Sequence, residues 1–128
     1  VPRNRVLFVD DEPNILAAFA RQLRREVDLV TACGPEPGLE ALASDFQFSV
    51  IVVDMQMPGM DGIEFLRRAE SLQPNAVRIM LTGNADSETA ERAMSEVSIF
   101  RFLRKPCSAD ELMDAIVAAG VEHKARAA

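Results

Sequence analysis

Two apolar patterns alternate along the chain. Short runs of consecutive apolar residues, Arg5–Asp10, Val27–Ala32, Phe48–Asp54, Ala76–Thr82 and Ser98–Leu103, have the length and the Val/Ile content of strands. Between them, apolar residues recur at helical spacing. The first such stripe is Ile15, Leu16, Phe19, Ala20 and Leu23, and the second is Leu39, Leu42 and Phe46. The third is Ile63, Leu66, Ala69 and Leu72, and the fourth is Ala90, Ala93, Met94 and Val97. The last is Leu112, Met113, Ile116 and Val117, running toward Gly120.

The residues at the boundaries agree with this division. Pro13 suits a first helical position and has acids just before it. Gly34-Pro35-Glu36-Pro37-Gly38 breaks the second strand, and Gln73-Pro74-Asn75 ends the third helix. Asp61 with Glu64, and Ser108 with Glu111, have capping-box spacing, and Asp86 or Ser87 caps the fourth helix. The residues from Val121 onward are expected to fray.

Strand and helix alternating five times predicts right-handed crossovers, with helices on both faces of a parallel sheet. The expected fold class is α/β, a doubly wound (βα)5 domain with five strands in the flavodoxin-like order 2-1-3-4-5. Its switch point lies between the first and third strands. The third run is the most continuously apolar, as a central strand buried on both faces should be. It ends in a single carboxylate, Asp54, followed by a Met-Pro-Gly turn.

Composition narrows the picture. With 128 residues, 48% hydrophobic and 27% charged, the chain suits one globular domain. Residues 1–4 read as a leader or a remnant of expression, residues 5–120 as the domain, and residues 121–128 as a tail or the start of a linker to a missing output domain. A net charge of −6 argues against direct nucleic-acid binding by this segment. No run spans a bilayer, so no membrane association is expected. Cys33, Cys107 and the single His123 fit no zinc spacing, and two buried or partly buried thiols in a reducing cytoplasm is the expectation.

In this topology the ends of the first, third, fourth and fifth strands meet at one crevice. They bring Asp10 and Asp11, Asp54, Thr82, and Lys105 respectively. Taken singly, each has a plain explanation: a charge cluster at a helix start, a turn residue, a solvated lysine. Met55, Met57 and Met60 read as packing. The conjunction favours chemistry. Crowded carboxylates repel one another, and a hard divalent cation with oxygen ligands, Mg²⁺ or Mn²⁺, relieves that; the backbone carbonyl of Gln56 is a further candidate ligand. A carboxylate can form an aspartyl phosphate, with Lys105 and the Thr82 hydroxyl positioned for phosphoryl oxygens. Pro106 directly after Lys105 invites a cis peptide.

The motifs Val-Asp10-Asp11-Glu-Pro, Val-Asp54-Met-Gln-Met-Pro-Gly-Met-Asp-Gly, Leu-Thr82-Gly and Leu-Arg-Lys105-Pro together resemble the receiver domain of bacterial two-component response regulators. The resemblance covers Arg5 to about Gly120. It implies that Asp54 is the phosphoacceptor. Asp11 would be a direct Mg²⁺ ligand beside Asp54 and the Gln56 carbonyl, with Asp10 acting through water. Thr82 and Lys105 would contact the phosphoryl group, and Thr82 and Phe102 would form the switch. Gln56 and Asn84 would tune dephosphorylation. The implied partners are a sensor histidine kinase or phosphotransfer protein, an output domain, and a second receiver in a homodimer. The wording Phe100-Arg-Phe-Leu-Arg-Lys-Pro-Cys107 resembles receivers joined to HD-type phosphodiesterase domains.

Other readings rank lower. A true aspartyl-phosphate hydrolase would carry an acid/base Asp two residues after the nucleophile, where this chain has Gln56. A flavin-binding module would open with a phosphate-welcoming loop, and Asp10-Asp11-Glu12 would repel that phosphate. The main alternative is a degenerate receiver acting as a phosphorylation-independent docking module, and against it stands the full set of expected site residues.

Overall fold

The computed structural model describes residues 3–83, 92–93 and 95–127. Five parallel strands form one sheet: β1 (Arg5–Asp10), β2 (Asp28–Cys33), β3 (Val50–Asp54), β4 (Val77–Thr82) and β5 (Arg101–Arg104). Their order is β2-β1-β3-β4-β5, as the alternating pattern predicts. The helices are α1 (Pro13–Leu23), α2 (Pro35–Ala43), α3 (Gly62–Leu72) and a C-terminal helix (Ala109–Ala127).

Strand parity divides the core into two layers. Leu7, Val9, Ile51, Val53 and Met80 project to the face covered by Leu42 of α2 and by Phe65, Leu66 and Ala69 of α3. Val6, Phe8, Val52, Ile79 and Leu81 project to the opposite face, against Leu16 and Leu23 of α1 and Leu112, Ile116 and Ala119 of the C-terminal helix. β3 is buried at all of its positions, which explains why its sequence does not alternate. At Gly38 a Cβ would lie 2.8 Å from the Phe65 ring, so α2 approaches α3 more closely than any side chain there would allow.

Several boundaries differ from the sequence expectation. α2 starts at Pro35 because prolines are tolerated in a first helical turn, so the Gly-Pro cluster opens a helix as well as ending a strand. Phe46 lies beyond α2, exposed, with its ring against Phe48 and under the Arg5 guanidinium. On α3, Leu72 is exposed and Phe65 takes the buried place. β5 is shorter than the Ser98–Leu103 run, because Ser98 and Phe100 turn the chain: the Ser98 carbonyl accepts from Arg78, and the Phe100 amide donates to the Arg78 carbonyl.

The C-terminal helix continues to Ala127 instead of fraying after Gly120, and Val117 faces solvent. Cys33 is exposed rather than buried, and both cysteines are free. Of the fourth helical stripe, Ala93 and Val97 are buried in the first layer, and residues 92–93 and 95–96 are helical. Asn84, Asp86, Ser87, Ala90 and Met94 lie outside the described residues. No helix among the described residues is long and apolar enough to cross a membrane.

Candidate functional site

Strand register builds the site. Val9 of β1 is paired with Val53 of β3, so Asp10 and Asp54 are the next residues on adjacent strands. Thr82 of β4 is paired with Arg104 of β5, which leaves Lys105 just beyond the sheet edge. The Lys105 amide donates to the Thr82 carbonyl at 2.9 Å, and the Lys105–Pro106 peptide is cis, as the Lys-Pro pair invites. Asp10, Asp54 and Thr82 are all buried.

Asp10, Asp11 and Asp54 each present a carboxylate oxygen, and these three oxygens lie within 4.8 Å of one another. Lys105 Nζ stands 3.0 Å from Asp54 Oδ1 and 3.7 Å from Asp10 Oδ2. The Glu12 amide donates to Asp10 Oδ1 at 2.9 Å, a local Asp-to-backbone turn that aims the carboxyl inward. Asp10 Oδ2 is buried and accepts no hydrogen bond among the described residues.

The electrostatics follow from this crowding. Burial pushes the Asp10 carboxyl above its ordinary range; the Glu12 amide opposes that, Asp54 reinforces it, Lys105 opposes it, and Asp11 reinforces it. For Lys105, burial alone would lower the pKa, but the hydrogen bond and charge of Asp54, with Asp10 and Glu12 behind them, outweigh it and the net shift is upward. Lys105 is therefore a held cation. The donor set is all oxygen, and Asp10 carries a buried oxygen that accepts no hydrogen bond among the described residues, so these residues fit a hard divalent cation.

The segment after Asp54 is fixed from below. Met55 and Met57 are buried in the first core layer, as packing residues should be, while Gln56 between them is exposed. The Met55 amide donates to the Leu81 carbonyl, and Gly59 takes a positive φ of 84°. Asp61 caps α3 by accepting from the Glu64 amide at 2.9 Å. Gly62, to which helical periodicity assigns no role of its own, is the residue that seats α3 on the site. Its amide donates to the Met55 carbonyl, and a Cβ there would lie 2.7 Å from the Asp54 carbonyl oxygen. The available signal was a glycine at a first helical position, where nothing in the helix itself calls for one.

The structure thus brings Asp10, Asp11, Asp54 and Lys105 together, with Thr82 buried at the end of the neighbouring strand. Phe102 is half-buried and packs against the layer that holds Met80. Asn84 lies outside the described residues.

Fold and crevice define the class: a doubly wound α/β domain with an acidic, lysine-bearing switch point. Residues 6–117 match the model of the response regulator receiver domain, and the chain belongs to that family. Among curated relatives, the hydrogenase transcriptional regulatory protein HoxA of Cupriavidus necator is 35% identical over 111 residues. That match covers 87% of this chain and 23% of the relative, so the chain spans about a quarter of the relative's length. Among solved structures, one described as adenylate cyclase from Rhodopirellula baltica superposes with a TM-score of 0.92 at 38% identity, covering 98% of this chain and 93% of that one. The signal receiver domain of an HD domain-containing protein from Pseudomonas fluorescens Pf-5 gives 0.88 at 29% identity, covering 96% and 98%.

Proposed function

We propose that Asp54 is the phosphoacceptor of a signalling switch and receives its phosphoryl group from a histidine kinase or phosphotransfer protein. The observation that carries this reading is the Asp54–Lys105 contact of 3.0 Å inside the three-carboxylate crevice. An Asp54 oxygen attacks the phosphorus of a phosphohistidine. The new O–P bond forms as the P–N bond breaks, and the imidazole leaves with its electron pair. Lys105 donates to a phosphoryl oxygen in place of Asp54 Oδ1, and the Thr82 hydroxyl donates to another.

Asp11, Asp54 and the Gln56 carbonyl would hold Mg²⁺ directly, with Asp10 acting through water. The ion would neutralise the negative charge gathered by carboxylates and phosphoryl. Movement of Thr82 toward the phosphoryl group, with Phe102 turning into the space behind it, would remodel the β5 face read by an output domain or by a second receiver. Gln56 and Asn84 would set the lifetime by orienting or obstructing an attacking water. The kinase partner and this switch would meet in the cytoplasm. An HD-type phosphodiesterase is one output suggested by the wording of residues 100–107, and a solved relative carries an HD domain in its description.

The test is intact mass after incubation with acetyl phosphate, with and without Mg²⁺, beside Asp54→Asn. A Mg²⁺-dependent gain of one phosphoryl group, absent in the variant, is the expected result. Failure to gain it, together with failure to bind beryllofluoride near Asp54, would replace this reading with a docking module.

A further inference from the structure

A second set of charged groups gathers at the other end of the sheet. A cleft of about 340 Å³ opens where β1 and β3 begin, walled by Arg5, by Gln47 to Ser49, and by His123 and Lys124 of the C-terminal helix. Arg5 and Asp10 bound the same strand, and five residue steps put this cleft about 17 Å from the carboxylate crevice. That is about twice the screening length of roughly 8 Å at physiological ionic strength, so the two charge clusters act independently.

Four features make the cleft a built one. No acidic residue among the described ones lines it, although the chain carries a net charge of −6. Among the described residues, neither Arg5 nor Lys124 is ion-paired, while the third cation, Arg3, is committed to the Arg24 and Val27 carbonyls and to Asp28. The Arg5 guanidinium is held 4.7 Å above the centre of the Phe46 ring, which leaves its in-plane N–H donors free to meet an oxyanion. Finally, Gly120 lets the C-terminal helix close on Asn4: a Cβ at Gly120 would fall against the Asn4 side-chain amide. A glycine inside a helix costs about 1 kcal/mol relative to alanine. Here it permits the approach that carries His123 and Lys124, three and four residues on, to the cleft.

We propose that this cleft binds a small dianion, a phosphate monoester or a dicarboxylate, with Arg5 as the oriented donor and Lys124 as the opposing point charge. The volume suits a ligand of a few carbon atoms, and the buried Phe48 offers that body an apolar floor.

The test is a titration of the ¹⁵N-labelled chain by heteronuclear NMR, in EDTA and at constant ionic strength. Phenyl phosphate and succinate are the two arms, and acetate is the monovalent control. Saturating shifts are expected at the amides of residues 4–6, 47–49 and 120–124 with at least one dianion, and the arm that saturates at lower concentration assigns the chemistry. Arg5→Gln and Lys124→Gln should each weaken the binding at least fivefold; Lys124 is exposed, so its variant keeps the test intact should Arg5→Gln disturb Phe46. Non-saturating shifts, an equal response to acetate, shifts confined to the Asp54 loop, or unchanged affinity in both variants would overturn the proposal.

Discussion

At Gln73 one side-chain amide does what a longer segment of secondary structure would otherwise do. Buried at the C-terminal end of α3, its Nε2 donates to the carbonyls of Leu42 and Phe46 at 3.0 and 2.8 Å, and its Oε1 accepts from the Phe48 amide at 2.8 Å. These bonds hold the loop that feeds the central strand. Gln73→Leu keeps the volume and leaves the Phe48 amide and two carbonyls without partners. An unsatisfied buried group costs about 1–3 kcal/mol, so a loss of about 2–3 kcal/mol is expected in urea denaturation, with the slope unchanged. Arg78 is the parallel case on β4. Its terminal nitrogens donate to the Ser98 and Pro74 carbonyls, and burial lowers its pKa while Glu70 partly restores it. Neither role was legible beforehand. A glutamine after a helix and an arginine in a strand carry no pattern, because their partners are backbone carbonyls of loops whose paths the sequence does not encode locally.

Elements were legible where an apolar run coincides with the segment that pairs into the sheet or covers it. β1, β3 and β4 sit inside the sheet, and their apolar runs marked them to within two residues at either end. At the edges the outcome divides: β2 was marked to within one residue at either end, and β5 was not. β5 has exposed residues at both ends, and its first apolar residues serve the turn held by Arg78. The C-terminal helix outran its apolar stripe because an i,i+4 pair between Glu122 and Arg126 supports residues that bury little. Caps show the same gradation. Ser108 and Glu111 form the full reciprocal box, with the Glu111 amide bonded to the Ser108 hydroxyl at 3.1 Å and the Glu111 carboxylate returning to the Ser108 amide at 3.4 Å. Asp61 and Glu64 form only half of one, since Glu64 turns outward to Arg67 and Arg68. Ser108→Ala should therefore destabilise the domain by about 1 kcal/mol, measured by thermal or urea unfolding, and Ser108→Asp should recover most of it.

For the whole molecule, the catalytic-looking crevice is where local rules give way. The sheet topology was readable, and so was the set of groups its ends deliver. What the sequence did not reveal is that one of those carboxylates is left with a buried oxygen that accepts no hydrogen bond among the described residues and has only the Lys105 charge, 3.7 Å away, beside it. A core built for stability alone would not retain Asp10 in that state, and the proposed cation site would account for it. In EDTA at pH 7, Asp10→Asn should therefore raise the unfolding free energy, by an amount on the order of 1 kcal/mol. The sign with pH follows from linkage. Because its pKa is raised on folding, Asp10 binds more protons in the folded chain than in the unfolded one between its ordinary and its raised value. Wild-type stability gains as pH falls through that window, and the advantage of asparagine shrinks with it. Adding Mg²⁺ reverses the ranking at neutral pH: an ion that binds only the folded state at a hundred times its dissociation constant contributes about 2.7 kcal/mol, and more of that should reach the wild type than the variant. Unfolding curves of both proteins, with EDTA and with Mg²⁺, decide it. A wild type that is the more stable of the two in EDTA would mean that Lys105 alone compensates Asp10, and the crevice would then need no cation to hold it together.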